Sequence, residues 1–205
     1  MAERNNDKLY KLVVTAFFAA IVVVLQVTLG LITVGEINLN FVLIPILLAA
    51  ALYGKMAGTI AGGAFGITVF IQCITGTQVF GAMLLSINWF YTFVACVGRG
   101  LLVGFLAAVI YQASAKAVKS RYLRALIASV AAPIINTGIF LLCYALMFNE
   151  NMRGFMLSEG AGAMYILFIF LTGINFVFEF ASTVIIAPPV AVVLEKAKNQ
   201  LAKNG

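Results

Sequence analysis

Two ionisable residues, Arg99 and Glu179, lie inside long apolar runs of the sequence. A charge at membrane depth is costly, so such a residue faces the bundle interior, a partner or a cavity. The guanidinium fork of arginine matches a carboxylate and binds it best in a dry site. Two interpretations follow. Either Arg99 and Glu179 form a purely structural pair, or Arg99 contacts an acidic ligand, with or without that pair.

Polar side chains accompany these two residues at helical spacing on four apolar segments. The stripes are Thr68, Gln72 and Thr75; Asn88, Tyr91 and Arg99; Asn136 and Thr137; and Thr172, Asn175 and Glu179. Two or three polar bonds suffice to fix a helix bundle, so stripes on four helices favour a shared chamber open to the outside. The alternative is that the asparagines join the helices by hydrogen bonds alone.

The composition indicates the class of protein that positions these residues. The chain has 205 residues, of which 63% are hydrophobic and 10% charged, and its mean hydropathy is +1.09. A soluble domain of this length cannot bury so much apolar surface. We therefore predict an all-α polytopic membrane protein with one domain, residues 1–205. The first apolar run lacks a signal-peptide cleavage site and predicts a retained helix.

Six transmembrane helices fit the apolar runs, since a span needs about 20 apolar residues. They are predicted at about 9–34, 40–53, 56–75, 84–112, 122–148 and 162–194. The second is short, and the break at 53–58 is interpreted as a connection between two spans, a tight hairpin or a shallow kink.

The positive charges predict the orientation of these spans. Eleven of the 13 lysines and arginines lie on one side if both termini are cytoplasmic, which satisfies the positive-inside rule. The basic balance is therefore topological, and no nucleic-acid partner is inferred from it. The short polar connection "GEINLNF" (35–41) falls on the outer side.

Motifs for catalysis and for metal or nucleotide binding are missing from the sequence. There is no histidine, no G-x-x-x-x-G-K-[ST] loop and no pair of carboxylates within one span. The three cysteines lie in apolar runs without metal-ligand spacing. We predict a binding protein that is not an enzyme, has no cofactor or metal, and has no ATPase of its own.

Small residues at helical spacing form faces on the first, third and fourth spans. Gly58, Gly62 and Gly66 recur every fourth residue, as do Gly100 and Gly104, and such glycines let helix backbones approach closely. We predict packing of the third span against the second or fourth. Ala16, Ala19 and Ala20 make a similar face on the first span. That face has two interpretations, internal packing or an outward docking surface.

The order of several segments resembles the substrate-binding S component of energy-coupling factor (ECF) vitamin transporters. These segments are "AFFAA" (16–20), "IPILLAAALYGKMAGTIAGGAFGITVFIQCITG" (44–76), "FGAMLLSINWFYTFVACVGRGLLVGFLAAVIY" (80–111), "APIINTGIF" (132–140) and "NFVFEFASTVIIAPPVAVVLE" (175–195). The "INW…RGLLVG" region is most similar to the pantothenate-type branch. Trp89 and Gly98 stand where that branch has prolines.

This resemblance implies a six-helix protein of a bacterial plasma membrane that captures a vitamin from outside. Residues 35–41, with Asn38 and Asn40, and the last three spans would enclose the ligand. Ala16 and Ala20 would dock on a transmembrane coupling subunit that two cytoplasmic ATPases drive. The predicted substrate-binding residues are Arg99, Asn88, Tyr91, Asn136, Asn175, Glu179, Gln72, Asn38, Asn40 and Trp89.

Arg99 favours a ligand with a carboxylate, and among vitamins pantothenate fits the surrounding amides best. Folate also carries carboxylates and is the next candidate. Two other functions remain open from the sequence. One is a non-transport membrane scaffold similar to rod-shape proteins, in which the polar stripes serve packing alone. The other is a stand-alone secondary carrier.

Overall fold

The structure, a computed structural model, describes the backbone of residues 2–28, 33–34, 37–38, 41–147 and 161–204. Side chains are described for residues 8–28, 41–78, 81–143 and 172–200. The described chain is almost entirely helical, which confirms the predicted helical membrane fold. The residues between the fifth and sixth predicted spans lie mostly outside the described residues.

The helices follow one another with short connections. They are α1 (Ala2–Thr28), α2 (Leu43–Tyr53), α3 (Lys55–Thr75), α4 (Val79–Ile87), α5 (Trp89–Phe93), α6 (Arg99–Ala117), α7 (Arg121–Met147) and α8 (Ala161–Asn204). A π-helical turn, Val94–Gly98, joins α5 to α6. Two short antiparallel strands, β1 (Thr33–Val34) and β2 (Ile37–Asn38), follow α1.

Five of the described helical segments are long and apolar enough to cross a bilayer. They are Lys8–Thr28, Lys55–Thr75, Trp89–Ala117, Arg121–Cys143 and Thr172–Gln200. The second predicted span corresponds to α2, which has 11 residues and measures about 16 Å, half the thickness of a bilayer core. A six-span topology therefore stays a prediction.

Helix α2 fills the centre of the bundle. Its residues from Leu43 to Ala50 are all buried, and it packs against α1, α3, α6, α7 and α8. A helix that is apolar on every side belongs inside a protein, which explains how so short a segment is accommodated. The break after α2 is a single residue, Gly54, whose φ of +88° requires glycine.

A seam of glycines joins α3 to α6, as the sequence predicted. A Cβ atom on Gly62 would overlap the carbonyl oxygen of Gly100, and a Cβ on Gly100 would overlap the carbonyl oxygen of Gly62. Gly58 and Gly104 face each other in the same way. The two backbones are therefore too close for any side chain, and dispersion contacts between them hold the pair together.

The ends of two predicted spans are wrong. The first was predicted to continue to residue 34, but α1 ends at Thr28 and Thr33–Val34 is a strand. An apolar run does not distinguish helix from strand, and β-branched residues favour the strand. The last was predicted to end at 194, but α8 continues to Asn204. Its polar end is rich in Lys, Ala, Leu and Gln, which favour helix outside the membrane as well.

One end of the bundle gathers the basic segments. The Nζ atom of Lys198 donates to the carbonyl oxygen of Leu52 and lies 4.4 Å from the Tyr53 ring centroid. Glu195 pairs with Arg121 at 3.4 Å and accepts from the Tyr111 hydroxyl at 3.4 Å. We call this end, with the polar contacts of Lys198 and Glu195, the basic end.

Candidate functional site

Arg99 is the first residue of α6, and its guanidinium lies between two aromatic rings from other helices. Its Cζ atom is 5.3 Å from the ring centroid of Phe65 on α3 and 5.2 Å from that of Phe140 on α7. Such cation–π contacts contribute about 2 kcal/mol when desolvated. The Nε atom is buried and has no hydrogen-bond partner among the described residues.

Glu179 on α8 is buried beside an amide from α7. The Nδ2 atom of Asn136 donates to both carboxylate oxygens, at 3.3 Å to Oε1 and 3.0 Å to Oε2. Each of the two side chains is only 5% exposed. A single amide satisfies about half of the accepting capacity of a carboxylate, so Glu179 retains capacity for further donors.

Arg99 and Glu179 interact electrostatically without forming an ion pair. The charge of Arg99 acts electrostatically on Glu179. Among the residues that the structure describes, however, only Arg121 and Glu195 are close enough to make an ion pair. The arrangement differs from the predicted structural pair, in which the two groups neutralise each other in contact. Each charge keeps its own partner, the aromatic rings for Arg99 and the Asn136 amide for Glu179.

The fourth predicted span is not one continuous helix. The prediction that Asn88, Tyr91 and Arg99 form a stripe on a single helix is therefore corrected. Asn88 is extended, with φ −158° and ψ 107°. Its Oδ1 atom accepts from the backbone N–H groups of Phe90 and Tyr91, at 3.1 and 3.2 Å. Asn88 and Arg99 would share a face only if the chain kept 3.6 residues per turn from 88 to 99. It does not, because a new helix starts after Asn88 and the π-helical turn contains about one more residue per turn.

The two predicted ligand-binding aromatic residues after the break face outward. Trp89 is 66% exposed and Tyr91 is 39% exposed in the chain alone. The buried residues of this region are instead Thr92, Ala95, Cys96 and Val97. A contact of Trp89 or Tyr91 with ligand therefore stays a prediction that no described contact supports.

Gln72 is engaged with α1 instead of with the other polar stripes. Its Oε1 accepts from the Nε2 atom of Gln26 at 2.8 Å, and its own Nε2 donates to the backbone oxygen of Gln26 at 3.2 Å. Both side chains are buried. This reciprocal contact joins α1 to α3, as polar residues do in membrane bundles. The neighbouring Thr68 hydroxyl donates to the carbonyl oxygen of Ala64 in its own helix.

The remaining predicted residues divide into described and undescribed ones. Asn175 on α8 is half-buried, and its Oδ1 atom is buried without a described partner. The backbone of Asn38 belongs to β2, but its side chain lies outside the described residues, as does all of Asn40. The structure thus brings Arg99, Asn136 and Glu179 together. Asn88 and Gln72 have structural contacts elsewhere.

Sequence reasoning missed the two aromatic rings around Arg99 and the partner of Gln72. Phe65 and Phe140 are ordinary in apolar helices, and no local pattern marks them as cation partners. Gln26 was a detectable signal, because a glutamine amide within a span needs a partner. Thr183 was another. It lies four residues after Glu179, and its fully buried hydroxyl has no described partner.

The predicted docking face of α1 lies on the outside of the chain. Ala16 and Ala20 are exposed, and Ala19 is half-buried. Only 22% of the residues of this span are buried, against 56% for α3. Exposed apolar residues are ordinary in lipid, whereas exposed small residues allow another helix to approach closely.

The fold and the site define a polytopic membrane protein with a buried polar cluster and a cation that lies against two aromatic rings. The family described as "ECF transporter, substrate-specific component" matches residues 10–194. The chain belongs to this family. It is thus the substrate-specific component of an ECF importer, a transporter component and not an enzyme. No curated protein matches the chain significantly.

Proposed function

We propose that this chain binds a carboxylate-bearing vitamin through Arg99 and delivers it by docking on an ECF coupling subunit. The observation that carries the proposal is the buried Nε of Arg99, which lies near Phe65 and Phe140 and has no hydrogen-bond partner in the described part of the chain. The rings fix the guanidinium plane and leave its edge for an anion. A carboxylate accepts two parallel N–H bonds from that edge. Pantothenate is the favoured ligand, and folate is the second candidate.

The polar residues around Arg99 would serve the other groups of the ligand. Asn136, Asn175 and Glu179 supply hydrogen-bonding atoms on α7 and α8. Asn38 and Asn40, together with the segment 35–41, would close the site from outside. Asn88 would shape the site through the break it makes in the chain, with Trp89 and Tyr91 beside it. Gln72 would support the site through its contact with α1.

The second part of the proposal concerns docking. The exposed alanines of α1 offer a smooth face for a helix of the coupling subunit. Beside this face is an apolar groove of about 360 Å³ between α1, α2 and α8, whose lining includes Phe17, Ile21 and Leu48. A partner helix with apolar side chains would fill both surfaces. Two separate ATPases would supply the energy, since the sequence has no phosphate-binding loop.

The proposed orientation of the chain in the membrane follows from its basic residues. Basic residues of α7 and α8 lie at the basic end, which would be cytoplasmic by the positive-inside rule. Both termini would then be cytoplasmic and six spans would cross a bacterial plasma membrane. Arg99 would be reached from outside.

Thermal-shift measurements on the purified chain with a panel of vitamins test this function. A ligand that binds only the folded protein raises its stability, by about 2.7 kcal/mol at 100 times the Kd. We expect a clear rise with one carboxylate-bearing vitamin. A scaffold protein would show no shift with any of them, and a secondary carrier would transport the vitamin without the coupling subunit.

A further inference from the structure

The buried polar atoms around Glu179 are mostly hydrogen-bond acceptors. Asn175, Glu179 and Thr183 recur every fourth residue on α8 and therefore share one face. The Oδ1 of Asn175 and the Oγ1 of Thr183 are buried without a described partner. The Oδ1 of Asn136, which is 5% exposed, is in the same situation. We call these four residues the acceptor cluster.

The orientation of the Asn136 amide follows from its neighbour. Its Nδ2 contacts both oxygens of Glu179, and the opposite orientation would put an oxygen against a carboxylate that can only accept. The Oδ1 atom must therefore face away from Glu179 and toward another donor. A buried polar atom without a partner costs about 1–3 kcal/mol. The two amide oxygens can only accept, and the Thr183 hydroxyl can accept or donate, so a ligand that carries hydrogen-bond donors would satisfy all three.

Among the described residues, Arg99 is the one cation with an electrostatic influence on Glu179. It stacks against Phe65 and Phe140 and is not in ion-pair contact with Glu179. The described part of the site thus combines a cation whose buried Nε has no described partner and, on another helix, a carboxylate with acceptor atoms around it that have no described partner. A ligand that uses both must carry an acid and hydrogen-bond donors at separate positions.

We infer that Glu179 is a specificity-determining residue, which selects a monocarboxylate with hydroxyl or N–H donors and rejects a second negative charge. This inference rests on the proposed function, because it assigns the ligand acid to Arg99. A dicarboxylate would place its second charge near Glu179, and like charges in a desolvated site repel strongly. Among the vitamins considered, pantothenate belongs to the selected class and folate, with two carboxylates, does not.

The test is calorimetric titration of the full chain in detergent, first with five vitamins. Pantothenate and biotin are monocarboxylates with donors, folate has two carboxylates, and thiamine and riboflavin have none. We expect the wild-type chain to bind pantothenate or biotin and none of the other three. Binding of folate instead would overturn the inference and leave the proposed function standing, because folate also carries a carboxylate for Arg99. Binding of thiamine or riboflavin alone, or of none of the five, would overturn both.

The Glu179→Gln variant then separates selection from support of the fold. We expect it to bind the selected vitamin about tenfold or more weakly, since a hydrogen bond to a charged group is lost. For pantothenate, an analogue without the two hydroxyl groups should show less than about a twofold difference between wild type and variant. Pantothenyl alcohol, which lacks the acid, should retain the full difference.

Two controls keep the result interpretable. Glu195→Gln removes the other glutamate of α8, at the basic end, and should leave the affinity for every probe unchanged. Thermal unfolding of Glu179→Gln without ligand reports whether the variant folds. If it does not, Thr183→Val tests the same cluster through a smaller change, and it should also weaken hydroxyl-bearing probes selectively. An equal loss for all probes would assign Glu179 to structural support and contradict the inference.

Discussion

Two glutamates of α8, Glu179 and Glu195, show how differently the same side chain is used in one helix. Glu195 has an ion pair with Arg121 and a hydrogen bond from Tyr111, and its side chain is 24% exposed. Glu179 is 5% exposed and has one amide as its described partner. The better solvated carboxylate has the stronger partners. If stability alone determined the partners, the buried carboxylate would have the stronger ones. The surroundings of Glu179 therefore suit a function more than they suit stability.

The same contrast holds for the cations. Lys198 at the basic end donates to the Leu52 carbonyl and stacks on Tyr53, which ties α8 to α2. Arg99 stacks on two rings and keeps a buried Nε without a described partner. At the basic end, Lys198 and Glu195 therefore both have polar contacts that join helices. The Arg99 region has fixed positions and incomplete hydrogen bonding, which is typical of a binding site.

Replacement of Arg99 should have the largest effect on binding. Arg99→Ala removes the anion contact, and we expect the affinity for the vitamin to fall at least about a hundredfold. The chain should still fold, because no ion pair is broken, and the unfolding temperature without ligand should fall only as much as the loss of the cation–π contacts, about 2 kcal/mol, requires. Calorimetry and thermal unfolding measure the two quantities. Loss of folding would instead make Arg99 a structural residue like Lys198.

Enlargement of the glycine seam should have the largest effect on stability. Gly62→Ala places a methyl group on the Gly100 carbonyl, and such overpacking costs about 1–3 kcal/mol or more. The matched control is Gly138→Ala on α7, where the added methyl meets no atom within 4 Å. There we expect unchanged or slightly raised stability. Similar unfolding temperatures for the two variants would contradict the close approach of α3 and α6.

The exposed face of α1 should matter for uptake and not for binding. We expect Ala16→Leu and Ala20→Leu to reduce vitamin uptake by cells about tenfold, since a larger side chain disrupts close helix contact by about 1–3 kcal/mol. Their affinity for the vitamin should equal that of wild type. Ala181→Leu, at an exposed alanine of α8, is the control and should transport normally. Reduced affinity with normal complex assembly would place α1 in the ligand site.

The smallest effect is expected at the basic end. Glu195→Gln breaks a half-exposed ion pair, and such pairs contribute about 0–1 kcal/mol. We expect a slightly lower unfolding temperature that approaches wild type in high salt, where the pair is screened. A loss of vitamin affinity with this variant would remove the contrast between the two glutamates.

The sequence predicted the helical segments and the site charges better than the contacts among them. The third and fifth spans were placed within a residue, because hydrophobic length determines a span. The close approach of α3 and α6 was predictable from their spaced glycines. Arg99 and Glu179 were identified because an intramembrane charge is rare.

The features that the sequence did not predict depend on which backbone and side-chain hydrogen bonds form in the folded chain. Asn88 was assigned to a helical stripe, although asparagine also caps helices, and its extended conformation ends α4. Gln72 was assigned to the chamber, and its contact with Gln26 depends on packing that spacing does not encode. The aromatic partners of Arg99 come from helices distant in sequence. The same limit applies to the separation of Arg99 from Glu179.

A structure of the chain with the vitamin selected by thermal shift tests most directly whether Arg99 binds the ligand acid. We expect both carboxylate oxygens of the ligand to lie about 2.7–2.9 Å from nitrogen atoms of the Arg99 guanidinium, with Phe65 and Phe140 still against it. An Arg99 that pairs with Glu179 while the ligand carboxylate lies elsewhere would contradict this role.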